Sequence, residues 1–315
     1  MPELPEVETV ARGLQLSVAG RRILSVVLRK TDFIDDPAAM ERELPGRTIA
    51  RVERFGKFML LQLAQRQNAG ADDVAAGEVI SEALLVHLGM TGNLAPHSAA
   101  QPLAKHTHVT FELDDGRELR YIDPRRFGRM AYLSGETLAA ELLRFGADPL
   151  LVSEAEFVQR IRGSRARIKA LLLDQSVLRG VGNIYADESL WAARIHPAKS
   201  GSRLTLAEVA LLRKELQKIL RKAIQMRGSS ISDFVDGEGL SGEYQQRHKV
   251  YGREGKKCFR CGTKIKRIIV AGRSSHYCPA CQRSPRGISG AAKKAKRKPR
   301  ARASKRQPQF SSWKK

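Results

Sequence analysis

Residues 1–9 read Met1-Pro2-Glu3-Leu4-Pro5-Glu6-Val7-Glu8-Thr9, and the rest of the chain is organised around them. Two prolines and two glutamates in the first six positions are odd for a mere lead-in. A small residue at position 2 favours removal of Met1 after synthesis. That leaves Pro2 with a free secondary amine beside the carboxylate of Glu3. A terminal amine has an ordinary pKa of roughly 7.7–8.0, so part of it is neutral and nucleophilic near neutral pH. Such an amine can attack an electrophilic carbon and form a covalent iminium, as lysine does in Schiff-base enzymes. The plainer reading is a helix start, with Pro5 in the first turn and Glu6 and Glu8 at the positive end. Both readings hold together. Val7, Val10, Ala11, Leu14 and Val18 repeat at helical spacing and predict a helix over 5–19 that stops at Gly20. That helix mounts Pro2 and Glu3 on a rigid element.

Charge narrows the partners. The 315 residues are enough for two or three domains and carry 56 Lys and Arg against 33 Asp and Glu, a net of +23. Residues 291–315 hold eleven Lys or Arg and no acid, which leaves +12 on residues 1–290. A basic tail alone could be a solvated appendage. A basic body as well points to a polyanion, most often nucleic acid. No basic amphipathic helix with an aromatic face argues for a membrane surface. The longest apolar runs are about six residues, far short of the roughly 20 that span a bilayer. The N-terminus shows no signal-peptide pattern, so the expected location is the cytoplasm, in association with the nucleoid.

Residues 21–135 read as β-rich. Arg22–Arg29 and Thr48–Leu63 have strand-like apolar content. Thr107–Leu113 alternates, Asp114-Asp115-Gly116 is a turn signal, and Leu119–Ile122 resumes the strand, predicting a hairpin in a sandwich or barrel. Gln65–Gly77 is polar and Ala- and Gly-rich, the composition of a surface excursion. Three groups here carry unusual side chains: Phe55-Gly56-Lys57, His87-Leu88-Gly89-Met90-Thr91-Gly92 and Asp123-Pro124-Arg125-Arg126-Phe127-Gly128. Each has a bland account. Lys57 is then a surface charge, Met90 and Phe127 core filler, and Arg125 or Arg126 a partner for Asp123. On a basic body they carry a second account, in which arginines bind phosphates or base edges and an exposed Met or Phe wedges between bases.

Residues 150–225 read as helical, over Glu154–Arg162, Ile168–Asp174, Asn183–Ala193 and Leu206–Met226. Gly180-Val181-Gly182-Asn183 lies between two of these helices, where a Gly-rich turn can present backbone N–H groups to a phosphate. Arg162, Arg165, Arg167 and Lys169 just upstream add to that reading. Residues 227–248 are rich in Gly, Ser and Asp and predict a mobile loop.

All four cysteines fall in the spacing C-x2-C-x16-C-x2-C: Cys258, Cys261, Cys278 and Cys281. That is the two-knuckle zinc pattern, and four thiolates suit one tetrahedral structural Zn²⁺. A reducing compartment argues against disulfides. Gly272-Arg273-Ser274-Ser275 between the knuckles is where a hairpin turn projects an arginine outward. His276 raises a Cys₃His set, but four cysteines leave it no necessary role. Residues 286–315 are basic and low in complexity, with Pro299 and Pro308, and are expected to be disordered and to add salt-sensitive DNA affinity.

The N-terminal Pro2–Thr9 stretch, the Asp123–Gly128 loop, Gly182-Asn183-Ile184-Tyr185-Ala186 and the four-cysteine finger occur here in one order. This combination closely resembles the formamidopyrimidine-DNA glycosylase family, over about residues 2–283. Leu4 stands where the related endonuclease VIII branch typically has glycine, which favours the purine-directed branch. The resemblance implies an α+β fold: an N-terminal β-sandwich flanked by helices (2–140), a helix-two-turn-helix domain with a lesion-capping loop (150–248), and a zinc finger (249–283). The 286–315 tail extends beyond the family's usual end. It implies a monomer that binds double-stranded damaged DNA in the cleft between its halves. It also implies roles. Pro2 is the amine nucleophile and Glu3 the acid that protonates the sugar. Lys57 contacts phosphate and assists β-elimination, and Arg273 grips phosphate and serves δ-elimination. His87, His106, Arg165 and Asn183 match DNA contacts. Met90, Arg125 and Phe127 fill the gap left by the flipped base, with Arg125 reading the opposite cytosine. Two other readings stay open: a sister glycosylase for oxidised pyrimidines, and a zinc-dependent DNA-binding protein without catalysis, which would need neither Pro2 nor Glu3.

Overall fold

The structure, a computed structural model, describes residues 1–64, 81–230 and 241–284. The excursion at Gln65–Gly77, the 231–240 part of the capping loop and the basic tail of 286–315 lie outside the described residues.

Helix α1 (Leu4–Val18) opens the chain, close to the span its apolar repeat predicts. Gly20 follows at φ +80°, a left-handed backbone that ends the helix. The Glu3 N–H donates to Glu6 Oε2 at 2.8 Å, so the helix start is capped by the residue one turn on. Beyond it, eight strands form two antiparallel sheets of four. One has the order β1 (Ile23–Leu28), β6 (Thr107–Leu113), β7 (Arg117–Ile122), β5 (Asn93–Ser98). The other has β2 (Thr48–Phe55), β3 (Phe58–Ala64), β4 (Glu82–His87), β8 (Arg129–Ser134). The predicted hairpin at 114–116 is β6–β7. The long apolar stretch 48–63 is two strands rather than one, folded back at Gly56-Lys57, so that Phe55 pairs with Phe58. Helix α1 contacts both sheets.

The β2–β3–β4–β8 sheet is covered twice. Its inner face joins the main core with Val7, Val10 and Leu14 of α1. On its outer face Phe58, Leu60, Leu85 and Ala131 pack under Leu138 of α3 (Gly135–Leu143). That is why β3 and β4 read as unbroken apolar runs instead of alternating. A helix absent from the β-rich reading is α2 (Pro37–Glu43): Asp36 caps it by accepting the Ala39 N–H at 2.9 Å, and Pro37 sits in its first turn.

The second half holds α4 (Glu154–Arg162), α5 (Ile168–Leu173), α6 (Asn183–Ala192) and α7 (Leu206–Gln225), as predicted to within a few residues. Leu4 belongs to this half's core, although Val7 onward belongs to the sandwich. The first turn of α1 therefore straddles the two halves. Arg54 on β2 ties them further, donating to Glu8 and to Asp148, each at 2.7 Å. The finger is a hairpin, β9 (Lys266–Val270) with β10 (Arg273–Tyr277), laid along α6.

The loop predicted as mobile over 227–248 is pinned at both ends. Glu243 N–H donates to the Met226 carbonyl and Tyr244 N–H to the Gly228 carbonyl, each at 2.9 Å. Ser229, Tyr244 and His248 are buried. The Gly and Ser content there reflects a tight backbone approach, with Gly228 against the Glu6 carboxylate, as well as a loop.

Candidate active site

The chain start, the β2–β3 turn, the start of α6 and the tip of the finger meet at one place. Pro2 and Glu3 are buried. Glu3 Oε1 accepts the Ile184 N–H at 3.0 Å and Oε2 the Tyr185 N–H at 3.4 Å. These are first-turn donors of α6, so the helix start expected to hold a phosphate holds the Glu3 carboxylate instead. The two donors and the positive helix end suit either anion, and Glu3 is the one fixed in place. The position also explains Gly182, where a Cβ would lie 2.2 Å from the Glu3 carboxyl carbon. Gly180, at φ +95°, would place a Cβ 3.0 Å from the Leu4 side chain, and its carbonyl accepts the Leu4 N–H at 3.0 Å.

Burial pushes the Glu3 carboxyl up to about 7, although Lys57 and the two N–H donors oppose the shift. The terminal amine, carried by Met1, is lowered from its ordinary value, chiefly by burial and further by Lys57 and Arg273. Glu3 and Glu6 pull it the other way. Lys57 is nearly buried and is itself lowered by burial, with Glu3 opposing. The amine, Glu3, Lys57 and Arg273 thus act on one another electrostatically, as the residues of one site must. Arg273 is exposed as the first residue of β10, after the Ala271-Gly272 turn.

Glu6 is the neighbour that sequence reasoning left as a helix-end charge. It is buried and raised by burial, and its Oε1 accepts the Tyr185 hydroxyl and the Ser229 N–H, each at 2.6 Å. Through Ser229 it joins the chain start to the base of the 228–242 loop. The spacing of Glu6 from Glu3, three residues into the helix, was the legible signal.

A second group sits on two loops of the sandwich. His87 ends β4, Met90 follows in the turn, and Arg125 and Phe127 lie between β7 and β8. The loops touch backbone to backbone, because a Cβ on Gly89 would lie 2.3 Å from the Phe127 carbonyl carbon. Met90 and Phe127 are exposed rather than core filler, at 39% and 52%. Arg125 stacks on the Phe127 ring at 4.6 Å. Neither arginine pairs with Asp123: Arg126 bonds Asp32 at 2.7 Å. Asp123 is fully buried and accepts from the Thr91 hydroxyl, the Tyr121 hydroxyl and the N–H groups of Arg125 and Gly128. It is the hub that joins the two loops. His106, exposed at φ 70°, is tied to them through its carbonyl, which accepts the Asp123 N–H at 3.1 Å. His87 is buried; its Nδ1 accepts the Gly89 N–H at 3.0 Å, and burial lowers it to about 3, so the ring is neutral.

Asn183 lies at the start of α6, with Nδ2 3.4 Å from Ser274 Oγ of the finger. Arg165 is exposed between α4 and α5 and makes no hydrogen bond or ion pair with the other candidates. Lys169, grouped by sequence with Arg165, is fully buried instead. Its Nζ donates to Asp187 Oδ1 at 2.5 Å and to the Ser274 carbonyl at 2.6 Å. Asp187 Oδ2 accepts the His276 N–H at 2.8 Å. The next residue, Glu188, accepts the N–H groups of Lys249, Val250 and Tyr251 at 2.8–3.0 Å. Two adjacent buried acids on α6 therefore dock the finger, and His276 is part of that seam, not of the metal set.

The sulfurs of Cys258, Cys261, Cys278 and Cys281 all lie within 4.8 Å of one another, and none is in a disulfide. Tetrahedral Zn–S bonds of about 2.3 Å place sulfurs just under about 4 Å apart, so the set fits one zinc. N–H groups of Trp191 and Arg260 point at the Cys258 sulfur, each at 3.4 Å, as thiolate ligands require. The finger is closed by four cysteine ligands, a structural zinc site.

Comparison with known proteins agrees with this geometry. Residues 1–130 match the formamidopyrimidine-DNA glycosylase N-terminal domain, 145–235 the H2TH domain of the same enzyme, and 255–283 the zinc finger found in FPG and IleRS. The formamidopyrimidine-DNA glycosylase of Herpetosiphon aurantiacus is 42% identical over 287 residues, 90% of this chain and 100% of that protein. That of Solibacter usitatus is 41% identical over 285 residues, with the same coverage. Among solved structures, Lactococcus lactis Fpg with an abasic site containing DNA is 34% identical, with a TM-score of 0.79 over 90% of this chain and 100% of that one. A mutant of the same protein with a Fapy-dG containing DNA matches equally well. With all three domains matched in order and the relatives covered end to end, this chain belongs to the formamidopyrimidine-DNA glycosylase family.

Proposed function

We propose that this chain, acting as a monomer at the nucleoid, excises oxidised purines such as 8-oxoguanine and formamidopyrimidines from duplex DNA and then cuts the abasic strand. The convergence of the terminal amine, Glu3, Lys57 and Arg273 carries the reading, since a pure DNA binder has no use for a buried acid beside its own N-terminus. Once Met1 is removed, the Pro2 nitrogen inherits the site. Its lone pair attacks C1′ of the flipped nucleotide, the C1′–base bond breaks, and the proton that the Pro2 nitrogen sheds goes to the departing base. Glu3, held near neutrality, gives its proton to the sugar ring oxygen, which opens the ring and leaves an iminium between Pro2 and C1′. The iminium acidifies C2′; loss of that proton expels the 3′ phosphate, and a second elimination expels the 5′ phosphate. Lys57 and Arg273 stabilise these leaving anions.

Extrusion of a base costs a few kcal/mol, and the wedge of Met90 and Phe127 with Arg125 offsets part of it by occupying the vacated stack. Arg125 then reads the opposite cytosine. Asn183, His87, His106 and Arg165 bind the backbone. For His87 the ring nitrogen opposite Nδ1 does so as a neutral donor, since the ring stays uncharged. The zinc held by the four cysteines supplies closure of the finger and no reaction step. The functional units are 2–140, 150–248 and 249–283, with the first turn of α1 shared between the first two.

The direct test is borohydride trapping on a duplex with 8-oxoguanine opposite cytosine, using protein whose N-terminus is verified as Pro2. A covalent adduct mapped to Pro2 is the expected result. Tight binding without an adduct, on this duplex and on one with an oxidised pyrimidine, overturns the enzyme reading.

A further inference from the structure

The segment between β1 and α2 has no part in the proposed chemistry, yet it grips the loop of Arg125 and Phe127 in three ways. The first is a pair of ion pairs. Asp32 Oδ2 accepts from Arg126 Nη1 at 2.7 Å, and three residues further on in each segment Asp35 pairs with Arg129. Asp36 is committed to the α2 cap, which leaves Asp32 and Asp35 for the loop. The second is backbone pairing. The Met130 N–H donates to the Phe33 carbonyl and the Asp35 N–H to the Met130 carbonyl, each at 3.0 Å, around a parallel bridge between Ile34 and Met130. The third is Phe33, which is buried. Its ring centre lies 5.3 Å from that of Tyr121 and 5.9 Å from that of His108. Those two residues hold Asp123: Tyr121 bonds its carboxylate, and His108 Nε2 lies 3.0 Å from its carbonyl oxygen.

The segment supports a backbone that arginine does not choose for itself. Arg126 stands at φ 52°, in the left-handed region where a Cβ crowds the following carbonyl and glycine or asparagine is the usual occupant. Its N–H closes the turn on the Asp123 carbonyl at 3.2 Å. The turn through Arg126 brings the Arg125 guanidinium to 4.6 Å over the Phe127 ring. Relaxation of Arg126 to an ordinary backbone would undo that stack and re-aim Arg125. Asp32 and Arg126 have side chains 40% and 43% exposed, so their pair adds little to the stability of the whole fold. Its effect lies in where it acts, on the one strained residue between the two side chains that enter the duplex.

We infer that Asp32 is a positioning residue for recognition of the base opposite the lesion: it holds Arg126 in the left-handed turn and thereby sets Arg125 and Phe127. This rests on the reading that Arg125 faces that base. A side chain already in place bonds the right base without first losing freedom. A loop free to shift accommodates a wrong base at lower cost, so discrimination falls when the support is removed. Asp32 does not touch the amine, Glu3, Lys57 or Arg273, and its influence falls on choice of duplex rather than on bond breaking.

The test is single-turnover excision of 8-oxoguanine opposite cytosine and opposite adenine, with full-length protein whose N-terminus is verified as Pro2. The variants are Asp32→Asn, Asp32→Glu, Arg126→Asn and the double variant Asp32→Asn/Arg126→Asn. The quantity compared is the cytosine-to-adenine ratio of maximal rate over half-saturating enzyme concentration. Asp32→Asn is expected to lower the ratio by about fivefold, as much as one exposed ion pair supplies, and to do so through half-saturation more than through maximal rate. Asp32→Glu keeps the carboxylate and should recover most of the ratio. Asparagine at position 126 tolerates the left-handed backbone unaided, so loss of Asp32 in that background should change the ratio no further. Losses that multiply in the double variant overturn the inference. So does equal slowing on both duplexes, which marks a merely structural residue. The same ratio, read from equilibrium binding in a Glu3→Gln background, judges the inference even where no base is excised. A wild type with no preference between the duplexes refutes the reading of Arg125 and this inference with it. A wild type that discriminates, matched by Asp32→Asn, refutes the inference alone.

Discussion

Glu3 shows how burial makes chemistry from an ordinary carboxyl. Raised to about 7, it keeps a proton to give at neutral pH, and the burial that lowers the Met1 amine acts in the same direction on a terminal amine at Pro2. The signs are opposite in effect. Nucleophile is gained as pH rises through the amine's value, and acid is lost as pH rises through about 7. The single-turnover excision rate should therefore be bell-shaped in pH, with its alkaline limb set by Glu3. In Glu3→Gln excision should fall by about 10²–10⁴-fold with lesion binding retained, and a variant of wild-type rate contradicts the role. The stability sign follows from the same shift. The raised carboxyl favours the fold fully below its ordinary value and loses that contribution as pH climbs through about 7. Melting temperature should thus drop less in Glu3→Gln than in the wild type as pH rises from 4.5 to about 7. The residue types at Pro2 and Glu3 were legible as chemistry, because a terminal amine beside an acid needs no fold to be recognised. The shift in Glu3 was not, because it depends on desolvation by segments about 180 residues away.

The two loops that present Met90, Arg125 and Phe127 owe their arrangement to Asp123. Four donors converge on its carboxylate, and the loop backbones meet where only glycine fits. Asp123→Ala strands those donors. It should cost about 2–4 kcal/mol of unfolding free energy, read by urea titration, and should abolish the preference for cytosine opposite the lesion. Sequence reading offered Asp123 an arginine partner because opposite charges two residues apart invite it. Folding gave the acid to backbone N–H and hydroxyl groups instead, and left Arg125 free to stack on Phe127. Lys169 is a similar case on α5. Proximity in sequence placed it with exposed arginines, whereas one helical face turns it inward to Asp187. Lys169→Met leaves the buried Asp187 with its His276 contact but without its lysine cation, a loss of about 3–5 kcal/mol. It should also loosen the strand that starts at Arg273, so the second elimination should slow more than base release. Equal slowing of both steps, seen by gel separation of the products, would count against that docking role.

The molecule is two halves and a finger held against one another by buried polar seams: Arg54 with Glu8 and Asp148, and Asp187 with Glu188 along α6. Zinc governs the third part. Chelation should unfold residues 249–283, release Arg273 from the site and lower lesion-duplex affinity by about tenfold or more, while the β-sandwich signal in circular dichroism persists. Unchanged affinity after verified zinc removal would refute this. No helix among the described residues is long and apolar enough to cross a membrane, in keeping with the charge of the chain. The sequence alone determined α1 and α4 to α7, the β6–β7 hairpin, the metal set and the class of partner. Each of these follows from local periodicity, turn chemistry, ligand spacing or net charge, and none requires knowing what lies opposite. Tertiary structure decided the rest: that the start of α6 holds Glu3 and not a phosphate, that Lys169 is interior, that Asp123 joins two loops, and that α1 serves both cores. The physical reason is common to all four. A charged or polar group takes the partner that burial brings to it, and burial depends on segments that are remote along the chain.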